Sequence, residues 1–310
     1  MLLLFYSTLY AAILMLVAYG GMTSERSGVV NLGVEGIMVI GGLVGTMVLG
    51  MLPEGTSGAI VYAILASMAA GMLYSLLLAV AAVSFGADQT LVGTAMNMLA
   101  TALAAVIARS VNSAADPKNI STTISFGAHS NSCYINLFGA TINIYCLIAI
   151  AVMIVLYIIF NKTRFGLRLV SCGEHPQAAA SVGISVRKMR YSGVLISGAL
   201  SGLGGLAYVT ASVNEWNFEN GVAGFGFLAL AVMIFGQWDT LKIAIAAVFF
   251  GLFRALSNIY TGIPFLEKLG LPSAFYNILP YAICLVVFII FAAKSAAPKS
   301  AGIPYDDNQS

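Results

Sequence analysis

About nine times between its two ends the chain runs apolar for roughly the thickness of a bilayer, which needs about 20 residues of helix. These runs are Met1–Gly20, Val29–Met51, Ala59–Phe85, Leu91–Ala108, Ile142–Phe160, Ser192–Ser212, Gly224–Gln237, Leu241–Asn258 and Ala274–Ala293. In lipid every backbone polar group must find an internal partner, so runs of this length fold as spanning helices. The expected class is an all-α, polytopic integral membrane protein with about nine spans (8–10). Composition agrees, with 8% charged residues against the ~25% usual for soluble domains, and a mean hydropathy of +0.94. No hydrophilic block is long enough to fold alone, so residues 1–310 read as one membrane domain.

The first run lacks the basic start of a secretory signal, although Ala18-Tyr19-Gly20 has cleavage-like spacing; it reads as a retained span. The run from Gly224 is short for a full crossing and reads as a tilted or half-length helix.

The exception to this apolar pattern is Asn161–Tyr191. Six of the chain's 14 Lys and Arg residues fall there: Lys162, Arg164, Arg168, Arg187, Lys188 and Arg190. Basic loops stay on the cytoplasmic side, which for nine spans puts the N-terminus outside and the C-terminus in the cytoplasm; one further span near the start would bring the N-terminus inside. The same segment holds a helix signal, with Pro176 at a first helical position, Gln177–Val182 as the body and Gly183 as the stop. Ala178, Ala179 and Ala180 give that helix a flat face suited to a partner. Topological anchoring accounts for the charges but not for the helix. The polar tail from Lys294 reads as frayed.

Inside the spans, Glu35 is a carboxylate in an apolar run, where ionisable groups are costly and face protein or water. Two readings stay open: a broken helix lining a pathway with Asn31 and Glu35 at the break, or an interfacial carboxylate with ordinary glycine packing. Gly41 and Gly45 have small-xxx-small spacing, and Ser197, Ser201 and Gly205 recur every four residues as a helix-packing face. Asn97 can bond a neighbouring helix or a polar solute. Aromatics near the seventh run, Phe225 and Phe227 among them, form an interfacial belt or line a pore. The Ser/Asn-rich stretch Arg109–Thr141 is an external docking loop or a plain connector. Four cysteines and two histidines, His129 and His175, show no metal or redox spacing, and no catalytic cluster is evident.

At these residues the chain resembles the permeases of bacterial ABC importers for simple sugars and nucleosides. The likeness to their coupling segment rests on Phe165, Gly166, Leu167, Arg168, Gly173, Glu174, Pro176, Ala178, Ala179, Gly183 and Ile184. Ser24–Met38, Asp88–Ala100, Leu195–Gly205 and Gly224–Gly236 match in the same order, so the resemblance covers residues 20–255. Two positions depart from the family pattern, Phe225 and the Trp238–Lys242 turn.

The resemblance implies a permease subunit of an ABC importer in the bacterial cell membrane, taking nucleosides before simple sugars. It implies three partners: a second permease forming a heterodimer, a cytoplasmic ATPase and an extracytoplasmic substrate-binding protein. It implies ATPase coupling through Gly173, Glu174, Pro176, Ala178, Ala179 and Gly183. A translocation pathway would run past Asn31, Glu35, Asn97 and Phe227. No cofactor or metal is expected in this chain, because ATP binds the partner, and no enzyme activity of its own. The competing reading of the residues is a stand-alone secondary carrier of about ten short helices, which needs ionisable coupling groups in its spans.

Overall fold

The computed structural model describes residues 2–53, 56–127, 133–137, 140–211, 214–260, 272–291 and 297–305. His129 and Lys294 lie outside them. Among the described residues seven helices are long and apolar enough to cross a membrane. They are α1 (Leu2–Arg26), α2 (Val34–Met51), α3 (Ala59–Ala79, continued by a π-helical turn to Ser84), α4 (Gln89–Ala115), α5 (Ile144–Lys162), α8 (Val186–Val209) and α10 (Thr240–Ile259). Between α5 and α8 lie α6 (Arg164–Glu174) and the one-and-a-half-turn α7 (Pro176–Ser181). Two more apolar helices, α9 (Phe225–Phe235) and α11 (Ser273–Phe291, with Pro280 inside), occupy the seventh and ninth expected runs.

The elements are bounded by local chemistry. Asp88 caps α4 by accepting from the amides of Thr90 and Leu91, and Asp239 caps α10 through Leu241 and Lys242. Thr163 starts α6 by accepting from the Gly166 amide, and Gly166 turns the corner because its bare Cα packs onto the backbone of Ile159 and Phe160.

Three helices form the core. The spanning windows of α8, α1 and α2 are 83%, 67% and 61% buried, whereas that of α5 is 22% buried. Lipid is as apolar as leucine, so close approach rather than hydrophobicity must hold such helices together. Here α8 supplies it. Gly198 and Gly202 meet the backbone of α3 at Gly71 and Ser67, and Gly205 meets the Met38 carbonyl of α2. Gly41 closes on Gly202, and Gly45 seats the Leu206 side chain. Conversely α5 and α10 present outward stripes, among them Ile150, Ile154, Ile158, Ile245, Val248 and Leu252.

Three sequence expectations change. The second helix starts at Val34 rather than Val29, since residues 29–33 have no helical assignment. The stretch after Ala108 is not one loop: α4 continues to Ala115, and short strands follow. Strand β1 (Thr123–Ser125) pairs antiparallel with β4 (Glu215–Asn217), aligning Thr123 with Asn217, while β2 (Tyr134–Leu137) and β3 (Ala140–Asn143) make a hairpin. The tail is not frayed throughout. Residues 297–305 pack back onto the bundle, with Pro298 buried.

Candidate functional site

Two helices begin inside the bundle rather than at its surface. A helix start leaves four amides without intrahelical partners, so both starts need outside acceptors. At α9 the acceptor is Glu35, in the first turn of α2. Its Oε1 takes the Gly224 amide and its Oε2 the Gly226 amide, both at 2.7 Å. A carboxylate there also complements the positive end of the α9 dipole. A side chain on Gly226 would place its Cβ 2.8 Å from Glu35 Cα and 2.9 Å from Glu35 N, so only glycine lets the two helix starts meet.

At α2 the acceptors come from α4. Asn97 Oδ1 accepts from the Gly36 amide at 2.7 Å, and Asn97 Nδ2 donates to the Leu32 carbonyl at 2.8 Å. Gln89 Oε1 takes the Val30 amide at 2.6 Å, and Asn31 Nδ2 donates to Ser197 Oγ at 2.9 Å. The irregular stretch before α2 is thus paired by side chains of α4 and α8. Such non-helical backbone at depth is tolerated where protein or a water-lined cavity covers it.

The chain entering α9 is kinked. Gly221, Ala223 and Gly224 have φ of 54°, 52° and 76°. The left-handed conformation at Ala223 costs roughly 1–2 kcal/mol. It is pinned from both sides: Trp216 Nε1 donates to the Gly221 carbonyl and Tyr281 Oη to the Ala223 carbonyl.

Of the four expected pathway residues, Asn31, Glu35 and Asn97 therefore gather at this joint and are engaged with backbone or Ser197. Phe227 is 47% exposed. Phe225 is fully buried on the other side of α9, with its ring centroid 4.7 Å from that of Tyr208. Next to it sits Arg254, a charge in the C-terminal half of α10 that stands outside the expected site residues although it is visible as a cation within an apolar run. Its guanidinium carbon is 5.9 Å from the ring centres of Tyr10 and Phe225, and its Nε is buried with no hydrogen-bond partner among the described residues.

The basic end of the bundle is built differently. There the expected coupling residues divide into two groups. Gly173 is buried, and a Cβ on it would meet the Arg26 and Gly28 backbone at the end of α1, so it is a helix-crossing point. Pro176 and Ala179 are also buried. Ala178 and Gly183 are exposed, and Glu174 is half-buried. Gly183 ends the helix at φ +82° with open space around it. Ser171, Glu174, His175, Ala178, Val182 and Ile184 border a surface groove of ≈ 280 Å³. Val182, 73% exposed, and Leu167, 63% exposed, are apolar side chains on this otherwise charged end. Burial pushes the Cys172 thiol up, so it stays a neutral, apolar packing group.

The packing residues are also distributed. Gly41, Gly45 and Gly205 sit at the α2–α8 crossing, and Ser197 and Ser201 are fully buried. Ser197 does more than pack, since it holds Asn31.

A bundle of spanning helices in which two helix starts meet, with a short, partly exposed helix at its basic end, fits the permease class of membrane protein. Residues 3–291 match the family described as the permease component of the branched-chain amino acid transport system, and the chain belongs to that family. It is 38% identical over 301 residues to the guanosine ABC transporter permease protein NupQ of Bacillus subtilis, covering 96% of this chain and 93% of the relative. To the nucleoside ABC transporter permease protein NupC of Lactococcus lactis it is 37% identical over 303 residues, covering 96% and 94%. A Haloferax volcanii protein proposed as a glucose ABC transporter permease, TsgC13, is 29% identical over 252 residues, covering 79% and 74%. No solved structure matches.

Proposed function

We propose that this chain is the nucleoside-translocating permease subunit of a bacterial ABC importer, paired with a second, different permease. Likeness over nearly the whole length to two relatives named for guanosine and nucleosides carries the substrate class. The relative proposed for glucose is less similar over a shorter stretch, which ranks sugars second. The basic end faces the cytoplasm, where Lys and Arg are retained. There an ATPase grips the exposed side of α7, around Ala178 and Val182, and the buried Gly173 carries its motion to the end of α1. An external binding protein delivers solute at the opposite end.

Alternating access needs two arrangements of similar free energy whose balance ATP shifts. The Glu35 joint supports such a pair. Glu35 belongs to α2 while the amides it holds belong to α9, so the hydrogen bonds can break and reform without unfolding either helix. Solute passes along the Phe227 side of α9.

Uptake by the complete transporter in proteoliposomes tests this reading. ATP-dependent accumulation of guanosine, with no accumulation of ribose, is expected. Ribose uptake without nucleoside uptake would assign the sugar class instead. Guanosine transport by this chain alone on an ion gradient would make it a secondary carrier. A purified complex whose intact mass contains two copies of this chain would remove the heterodimer.

A further inference from the structure

We propose that residues 297–305 are a working strap of the coupling apparatus, tying motion of α6 and α7 to the α1–α2 turn, with Arg190 and Ser300 as its positioning residues. A polar segment with two prolines and a lysine gains little from ordering itself. Its order must come from what it touches, and what it touches is unusual. The Ser300 amide donates to the Gly173 carbonyl at 2.8 Å and the Ser300 hydroxyl to the Glu174 carbonyl at 3.3 Å, so the strap holds the C-terminal end of α6. Two residues on, the Gly302 amide donates to the Gly28 carbonyl at 3.3 Å, holding the turn that leads to Glu35. Gly302 adopts φ +82° to make that reach. Pro304 comes near Gly86 between α3 and α4, and Tyr305 packs against the small cluster of Cys172, Ala179 and Val186 under α7.

Arg190 supplies the independent observation. It lies in the first turns of α8, is 1% exposed, and donates from Nη1 to the Ile303 carbonyl at 2.9 Å. Its Nε and Nη2 have no partner among the described residues, and the Tyr305 ring centre lies 5.9 Å from its guanidinium carbon. A buried cation needs hydrogen bonds to offset its desolvation. Ile303 gives Arg190 its one hydrogen bond among the described residues. The strap therefore serves the helix it lies on, and it joins α6 and the α1–α2 turn through their backbones and α8 through the Arg190 guanidinium.

The inference rests on the coupling role proposed above for α7, and the test separates the two. The complete transporter is placed in proteoliposomes, and guanosine imported per ATP hydrolysed is measured. Ser300→Pro, which removes the amide donor to Gly173, should lower that ratio about fivefold, the effect of one ordinary hydrogen bond on a two-state balance. Ending the chain after Ala297, which removes all four of these hydrogen bonds, should lower it further. Subunit assembly and ATP hydrolysis should stay at wild-type levels, and Arg190→Lys should fall between. A truncated chain that imports at the wild-type ratio overturns the strap. So does failure of both variants to assemble, which would make the segment an element of the fold alone. Ala178→Asp, on the exposed face of α7, is the control. If it leaves ATPase attachment intact, the docking reading fails; if it releases the ATPase while truncation changes nothing, the strap alone fails.

Discussion

The joint at Glu35 and the basic end around α7 both depend on glycine next to a helix start or stop, yet the glycines solve different problems. Gly226 makes room for a side chain and the backbone behind it, so that one carboxylate can hold two amides of another helix. Gly173 makes room for backbone alone, that of Arg26 and Gly28. Gly183 has nothing around it and is needed for its left-handed conformation. The joint is thus held by polar contacts between two helices, whereas the basic end is closed by backbone packing, apart from its exposed rim.

The comparison breaks most easily at Glu35. Glu35→Ala leaves two part-buried amides without their acceptor, each costing up to about 1–3 kcal/mol when unpaired. Nucleoside uptake should be abolished and the Tm of the detergent-solubilised transporter should fall; a wild-type Tm with full uptake would show that the joint is dispensable. Gly173→Leu is the corresponding change at the basic end. Overpacking costs about 1–3 kcal/mol, so the Tm should fall less, while uptake per ATP falls because α6 is pushed off α1. Gly183→Ala should cost about 1 kcal/mol through conformation alone, read as a small drop in Tm with coupling preserved. Smallest in stability is Val182→Ser. An exposed substitution of this sort stays within about 0.5 kcal/mol, and its effect should be confined to weaker attachment of the ATPase, measured by co-purification.

Much of this was legible in the chain. Twenty-residue apolar runs locate spans without help from tertiary structure, and Pro176 and Gly183 mark α7 because both act through their own backbone. What stayed hidden depends on distant residues. Val29 and Val30 are as apolar as the helix that follows, and Gln89 and Asn97 on α4 hold residues 29–33 out of the helix. The tail has the composition of a disordered end, and nothing in it announces the carbonyls of Gly173 and Gly28. Three-residue strands such as β1 and β4 carry too little pattern to be seen, particularly when their partners are some 90 positions apart. Arg254 was visible, but its significance required knowing that Phe225 and Tyr10 face it.

The small β1–β4 ladder has a mechanical corollary. It splices the segment leaving α4 to the segment that leads into the kink before α9, and the Thr122 hydroxyl adds a further tie to Asn217 at 2.8 Å. Neither segment can be tugged without the other. A displacement of either one would reach the kink at Gly221–Gly224, and so the amides that Glu35 holds. The ladder and the amides held by Glu35 thus lie on one continuous path of hydrogen bonds and covalent chain.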